Sequence, residues 1–273
     1  MDGFIDMHVH TSPDIIERKL SDVELAERAK SANMAGILIK NHFESTVSRA
    51  IIAQKVVGGI KVYGGIVLNR SVGGLNPNAV EVALNLGGKE VWMPTVDALN
   101  HRQKTGSPLE GAISILKDDG SLKEEVYHIL DLIAQKNVIL GTGHLSLKEI
   151  AVLIEEAFRR GVQKVLVTHP ELWITKMPID LQLELSKRGV FFERCFYAIL
   201  SEDPLRHVSI EEAVSAIKMV GVRTTVIASD LGQAFNPDPV EGFKSYVSIL
   251  NKTGIIDKEI EIMACSNPKE LLE

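Results

Sequence analysis

Eight short apolar segments recur along the chain at fairly even intervals, and this repetition constrains the fold more than any other feature. They cover residues 4–9, 36–41, 61–68, 89–95, 137–142, 163–168, 189–193 and 223–229. Several are continuous runs of Val, Ile and Leu, which is typical of parallel strands covered on both faces. The sequence therefore predicts a parallel sheet wrapped by helices.

The segments between these strands carry start signals for helices. Asn76-Pro77 combines a capping residue with proline at the first helical position. Four further segments open with Ser and a Glu three residues later, the pattern of a capping box: Ser21/Glu24, Ser121/Glu124, Ser146/Glu149 and Ser209/Glu212. About eight β–α units predict an α/β fold of the (β/α)8 TIM-type barrel class, with an open doubly wound sheet as the alternative.

No linker or low-complexity segment divides the sequence, so we expect residues 1–273 to form one barrel domain. One long irregular stretch covers about residues 96–120, directly after the fourth predicted strand. Because long loops in compact domains are more often functional than accidental, we interpret this stretch as a lid or pocket wall.

The charge balance and the motifs that are missing exclude several partners. Thirty Lys and Arg against 36 Asp and Glu give a net charge of −6, which argues against nucleic acid or an anionic membrane. No signal-peptide pattern, spanning apolar run or GxxxxGK loop is present, so neither export nor ATP binding is indicated. We expect a cytoplasmic protein with a small-molecule substrate, and the apolar helix positions leave a homo-oligomer open.

Histidines gather at the ends of the predicted strands. The positions are His8 and His10 after the first strand, His42 after the second, His144 after the fifth and His169 after the sixth, with Asp230 after the eighth. Since the active site of an α/β barrel lies at the carboxyl ends of its strands, these side chains are expected to converge on one mouth.

This combination of residue types predicts a metal centre. His8 and His10 are two residues apart, so their rings point to the same side of a strand and can share one ion. Imidazole and carboxylate ligands suit Zn²⁺, with Mn, Fe or Ni as alternatives. Singly, each position also fits a buried structural histidine or, for Asp230, a helix N-cap. Together they predict a divalent ion held by His8, His10 and one or more of His144, His169 and Asp230.

The order His-x-His after strand one, His after strands five and six, and Asp after strand eight resembles the amidohydrolase superfamily of metal-dependent hydrolases. The resemblance extends from FIDMHVH to the C-terminal SNPKELLE, and it is to a small single-domain branch. It implies a TIM-type barrel, one or two bound metals, and hydrolysis at carbon or phosphorus centres.

One position departs from that superfamily pattern. Two-metal members usually carry a carboxylated Lys, or a Glu, at the end of strand four, where this chain has VWMPTVD with only Asp97 nearby. Strand two ends LIKNHFES, and alternation places Lys40 and His42 on the same face. Lys40 could bridge two metals as a carbamate, bind an anionic substrate group or act as a neutral amine. The structural alternative is that Lys40 is a surface or strand-end lysine and that His42 caps the helix starting near Ser45.

Weaker candidates complete the predicted site. Glu193 after strand seven is placed to orient ligands or substrate, and His101 in the long loop is a candidate substrate contact. A salt bridge and a solvated loop are the respective alternatives. Cys195 lacks a nucleophile motif and is interpreted as a packing residue.

The predicted reaction is hydrolysis of a small-molecule amide, ester or lactone by metal-activated water, with Asp230 as the catalytic base. Three alternatives remain open at this point. They are a phosphoesterase of the His-x-His barrel type, a metal-dependent decarboxylase and a non-catalytic metal- or ligand-binding barrel.

Overall fold

Eight parallel strands follow one another around a barrel in the computed structural model, which describes residues 1–200 and 207–273. The strands are β1 (Ile5–Val9), β2 (Gly36–Ile39), β3 (Lys61–Val67), β4 (Glu90–Trp92), β5 (Ile139–Gly141), β6 (Val165–Thr168), β7 (Phe191–Cys195) and β8 (Thr225–Ala228). The chain after β8 returns to β1, where the amide of Asp230 donates to the carbonyl of His8 and the amide of His10 donates to that of Leu231. The predicted barrel is confirmed, and the open sheet is excluded.

Helices connect the strands and surround the barrel. They are α1 (Asp22–Ser31), α2 (Val47–Val57), α3 (Pro77–Asn85), α4 (Leu99–Thr105), α5 (Glu124–Lys136), α6 (Leu147–Arg159), α7 (Ile179–Ser186), α8 (Tyr197–Leu200), α9 (Ile210–Val220), α10 (Pro239–Lys252), α11 (Asp257–Glu261) and α12 (Asn267–Leu272). Short 3₁₀ turns lie at Arg70–Val72 and Val222–Thr224, and a π-helical turn at Ile262–Ser266. Within the described residues, no helix is long and apolar enough to cross a membrane.

The helix start signals are mostly confirmed. Complete capping boxes begin α1 and α6, Ser209 caps α9 through its hydroxyl, and Asn76 caps α3. The Ser121/Glu124 box is wrong, because α5 begins at Glu124 itself. Asp119 accepts hydrogen bonds from both the amide and the hydroxyl of Ser121, and Glu124 pairs instead with Lys117. The hydroxyl of Ser121 and the carboxylate of Glu124, which a capping box would need, are therefore bonded to Asp119 and Lys117 instead.

The apolar core has two layers on either side of the sheet. One layer draws residues from all eight strands and so fills the barrel lumen: Ile5, Met7, Leu38, Val67, Trp92, Ile139, Leu166, Phe191 and Val226. Leu271 and Leu272 of α12 join this cluster. The residues that alternate with them, such as Ile37 and Ile39, pack outward against the helices. Side chains above the apolar lumen layer form the carboxyl mouth of the barrel.

A β-bulge in β1 turns the His-x-His pair into the lumen. The pairing of β1 with β2 shifts register between Asp6 and Val9. Met7 belongs to the lumen cluster while Val9 packs in the outer layer, so the strict alternation of the strand is broken between them. Bulges commonly redirect side chains beside active sites. Without this one, a strand whose Met7 faces the lumen would place His8 on the outer face.

The segment predicted as a long irregular loop contains a helix, α4. The helix was missed because its N-cap residue, Ala98, has no side chain that could cap it. Its C-cap residue is Gly106, which adopts a left-handed φ of +68°. Arg102 pairs with Asp97 and donates to the carbonyls of Pro108 and Glu110, which folds the following residues back onto the helix. This arrangement presents one face of α4 to the barrel mouth.

We expect Gly232→Ala to destabilise the protein and disturb His10. Gly232 has a φ of +128°, and a Cβ there would overlap the carbonyl oxygen of His10. Gly161→Ala is the matched control, because Gly161 also has a positive φ (+83°) but no atom lies within 4 Å of its Cβ position. The control should lose about 1 to 2 kcal/mol from backbone strain alone. Equal losses for both variants in denaturant unfolding would contradict the proposed overlap.

Candidate active site

A cavity of about 230 Å³ lies at the carboxyl ends of the strands. Six of the eight histidines line it: His8, His10, His42, His101, His144 and His169. Lys40 and Asp230 also line the cavity, and Leu172, Trp173 and Ile174 add apolar surface to it. The convergence of these side chains is the arrangement that the strand-end positions predicted.

His8, His10 and Asp230 form the centre of the cavity, and we call them the outer ligand set. Oδ1 of Asp230 lies 3.0 Å from Nε2 of His8 and 3.1 Å from Nε2 of His10. One ligand atom from each residue lies within 4.8 Å of the other two. All three residues are buried. Two imidazole nitrogens and a carboxylate oxygen in this geometry are a suitable set for a divalent ion.

The remaining predicted ligands surround this set. Nε2 of His169 lies 3.5 Å from Oδ2 of Asp230, and the ring centroids of His169 and His144 are 5.7 Å apart. Nδ1 of His144 lies 2.8 Å from Nδ1 of His101, and the two rings stack. The structure thus brings all five predicted ligands to one cavity and adds His101 from α4.

Two of these residues have unusual backbone conformations. His169 and Asp230 both have a φ of +52°, in the left-handed region that non-glycine residues rarely adopt. Each such residue costs on the order of 1–3 kcal/mol and persists only where its surroundings hold it there. Backbone strain of this kind clusters at functional sites, and here it coincides with two predicted ligands.

Burial keeps four of the six cavity histidines neutral. It lowers the pKa of His10 to about 3 and that of His169 to about 4, and it lowers the pKa values of His42 and His144 well below the ordinary value. A neutral imidazole has a free lone pair, which ligation of a metal requires. These four rings are therefore in the protonation state that a ligand needs at neutral pH.

His8 and Asp230 form a charged pair. Burial disfavours the imidazolium of His8, but the carboxylates of Asp230 and Glu193 outweigh burial and raise its pKa to about 9. Burial likewise disfavours the carboxylate of Asp230, yet His8 and His10 hold the pKa of Asp230 well below its usual range. Asp230 is consequently ionised, and a bound ion would replace a proton of His8.

The chemistry of the donors supports the fit of a metal to this site. Nε2 of His8 and Nε2 of His10 both face Oδ1 of Asp230, so two imidazole nitrogens and one carboxylate oxygen converge on one point, as the ligands of a divalent cation do. Within the described part of the chain, Nδ1 of His10 and Nδ1 of His169, on the opposite side of each ring, are buried and have no hydrogen-bond partner.

Lys40 and His42 lie on the same face, inside the cavity. Nζ of Lys40 is 3.1 Å from Nε2 of His8 and 5.4 Å from the ring centroid of Trp92. Nδ1 of His42 lies 2.8 Å from Oγ1 of Thr95. Lys40 directly follows the last residue of β2 and is only 1% exposed, so it is a strand-end residue but not a surface one. Thr46 rather than His42 occupies the N-cap position of α2.

Glu193 lies behind the cavity wall and contacts a ligand. Its Oε2 is 2.9 Å from Nδ1 of His8, and its side chain is fully buried. Cys195, which the sequence indicated only as a packing residue, places Sγ 3.8 Å from the same nitrogen. The sequence signal for Cys195 was present, since alternation in β7 puts residues 193 and 195 on one face.

Asp97, the acidic residue near the end of strand four, pairs with Arg102 on α4.

The fold and the site together define a (β/α)8 barrel with a buried His and carboxylate centre at its carboxyl mouth. A family model described as "Family of unknown function (DUF6282)" matches residues 3–193, and the chain belongs to that family. No curated protein matches the sequence.

Solved structures share the whole barrel. A candidate 2-pyrone-4,6-dicarboxylic acid hydrolase from Pseudomonas putida superposes with a TM-score of 0.67 at 14% identity, covering 100% of this chain and 98% of that one. An amidohydrolase from Pseudomonas aeruginosa gives 0.66 at 13% identity, covering 98% and 95%. The phosphotriesterase homology protein from Escherichia coli, solved with phosphate in its active site, gives 0.61 at 10% identity, covering 100% of both chains. At these identities the likeness establishes the fold.

We expect elemental analysis of the purified protein to find about one or two transition-metal ions per chain, the range that catalytic sites of this kind hold. The variant His8→Ala/His10→Ala should lose them, because it removes two donors of the outer ligand set. His128→Ala is the matched control, since His128 lies on α5 and does not line the cavity. An absence of metal after reconstitution with excess Zn²⁺ would contradict the assignment.

Proposed function

We propose that this protein is a metal-dependent hydrolase of the amidohydrolase type, acting on a small-molecule amide, ester or lactone. The observation that carries the proposal is the convergence of His8, His10 and Asp230 within 4.8 Å of one another in the cavity at the barrel mouth. The solved proteins with the same fold include hydrolases by their titles, which supports this class of reaction.

The chain's own residues would hold one or two ions. His8, His10 and Asp230 provide the first set of donors. His169 lies beside Oδ2 of Asp230, and His144 lies next to His169. Zn²⁺ suits these donors best, with Mn, Fe or Ni as alternatives. When bound, such an ion lowers the pKa of water and polarises the scissile bond.

Asp230 is placed to move the proton. Its two oxygens face different neighbours, with Oδ1 toward His8 and His10 and Oδ2 toward His169. Because its pKa is held well below the ordinary value, the carboxylate is available as an acceptor at neutral pH. We assign Oδ2 as the atom that accepts the proton of the attacking water and passes it to the leaving group.

The lining of the cavity suits both an apolar and a polar part of a substrate. Leu172, Trp173 and Ile174 offer apolar surface, whereas Lys40 and His101 are polar. His101 and His144 share a hydrogen bond, so one ring is the donor and the other the acceptor. A small substrate with an apolar portion and a polar reacting centre fits this division.

Lys40 and His42 border the outer ligand set and are proposed as contacts to the substrate or to a second ion. Lys40 is close enough to His8 to serve either purpose. In Lys40→Met, loss of one ion per chain would indicate a bridging carbamate. Unchanged metal content with a raised KM would indicate a substrate contact.

We expect Asp230→Asn to retain most of the metal and to lower kcat by about 10² to 10⁴, the usual contribution of a positioned general base. The assay is a panel of esters, lactones, amides and phosphate esters with Zn²⁺ or Mn²⁺. Asp131→Asn, which removes an exposed carboxylate on α5, is the control. Near-normal kcat in Asp230→Asn would remove this residue from the role of base.

The same panel distinguishes the other chemistries. Turnover confined to phosphate monoesters would favour a phosphoesterase, and release of CO₂ from carboxylic acids would favour a decarboxylase. Bound metal without turnover on any substrate would favour a binding barrel.

We expect His101→Ala to raise KM while metal content stays unchanged. His101 lines the cavity from α4 and contacts His144 rather than the outer ligand set. Steady-state kinetics on the best substrate of the panel, together with elemental analysis, provide the measurement. A loss of metal equal to that of His8→Ala/His10→Ala would show that His101 supports the ligands instead.

A further inference from the structure

A second group of potential ligands lies on the other side of His8. It consists of His8, His169, Glu193 and Cys195, and we call it the inner ligand set. One ligand atom from each of the four lies within 4.8 Å of the others, and all four residues are buried. Glu193 and Cys195 both come from β7, where the alternation of the strand directs them to the same face as the lumen residue Phe191.

The ring of His8 separates the two ligand sets. Its Nδ1 lies 2.9 Å from Oε2 of Glu193 and 3.8 Å from Sγ of Cys195. Its Nε2 lies 3.0 Å from Oδ1 of Asp230, in the outer ligand set. The inner ligand set therefore has donors that the outer set does not use, and neither His10 nor Asp230 belongs to it.

The donors of the inner ligand set suit a borderline-soft cation. One thiolate, one carboxylate and two imidazoles make four ligands, the number that Zn²⁺ and Co²⁺ take in tetrahedral protein sites. The thiolate and the carboxylate together neutralise a divalent ion, which lowers the cost of holding it away from water.

Two residues of the inner ligand set carry polar atoms without a hydrogen-bond partner. In the described residues, Oε1 of Glu193 is buried without a hydrogen-bond partner, and so is Nδ1 of His169. Glu193 is 0% exposed and Cys195 is 4% exposed, so bulk water cannot satisfy these groups directly. A carboxylate, a thiol and an imidazole gathered out of water with atoms left unpaired indicate a ligand that the contacts within the chain do not replace.

We propose that the inner ligand set binds a divalent transition-metal ion through the thiolate of Cys195, the carboxylate of Glu193, His169 and Nδ1 of His8. This inference rests on the proposed function in that the inner ligand set shares His8 with the outer ligand set and includes His169, one of the other proposed ligands. On binding, the ion replaces the thiol proton of Cys195 and the proton that His8 donates to Glu193. Both protons leave to solvent, and no electron is transferred.

The test is a titration of chelator-treated, metal-free protein with Co²⁺, followed by absorption in the near ultraviolet and visible regions. A Cys195–cobalt bond produces a thiolate-to-cobalt charge-transfer band, which nitrogen and oxygen ligands do not produce. The band should appear in the unmodified protein and be lost completely in Cys195→Ser. Cys265→Ser is the matched control and should retain the band, because Cys265 is not in the inner ligand set. Asp230→Asn should also retain it.

Two further measurements keep the result interpretable. Thermal unfolding of the metal-free variants checks that Cys195→Ser is folded. X-ray absorption of the unmodified cobalt- or zinc-loaded protein should show one sulfur neighbour at about 2.3 Å, and this result does not depend on any variant.

The outcomes separate this inference from the proposed function. If the protein binds Co²⁺ with nitrogen and oxygen neighbours only, or if the band persists in Cys195→Ser, the inner ligand set is overturned while the hydrolase proposal stands. If the band behaves as expected but no substrate of the panel is turned over, the metal site stands and the hydrolase proposal fails.

Discussion

The closure of the barrel between β8 and β1 is the contact on which the candidate active site depends. The amide of Asp230 donates to the carbonyl of His8, and the amide of His10 donates to Leu231. Asp6 reinforces the junction, since its carboxylate accepts from the amides of His8 and Ser229. These bonds bring together side chains 220 residues apart in the chain. The bulge in β1 then turns His8 and His10 toward Asp230, so the register of one strand pair determines the geometry of the outer ligand set.

The polar layer above the apolar lumen concentrates charge away from water. Glu193 and Asp230 are buried carboxylates, and His8 contacts both of them. Burial, assisted by repulsion from Glu193, raises the pKa of Glu90 well above its usual value, so this third carboxyl group is held neutral. Buried charges are costly unless they are paired. A cation in either ligand set would supply positive charge beside one of these carboxylates, which gives a physical reason for gathering so many ionisable groups in one layer.

Much of this architecture is predictable, because the signals are local. Each strand is a short apolar run, and each of His144, His169 and Asp230 lies just beyond the end of one. In a barrel, that position alone places a side chain at the mouth. The two features that were predicted wrongly, the helix α4 and the Ser121/Glu124 capping box, also have local causes. The start of α4 lacks a side-chain cap, which hid the helix that carries His101. Asp119 competes for the hydroxyl of Ser121, which removed an expected capping box.

The sequence by itself determined the eight β–α units, the barrel class and the set of strand-end residues, because these follow from periodicity and position along the chain. Only the tertiary structure decided which ligand atoms meet. The contact of His8 with Asp230 on one side and with Glu193 and Cys195 on the other depends on barrel closure and on the bulge in β1. Neither has a recognisable sequence signal, because both arise from the pairing of strands that lie far apart in the chain.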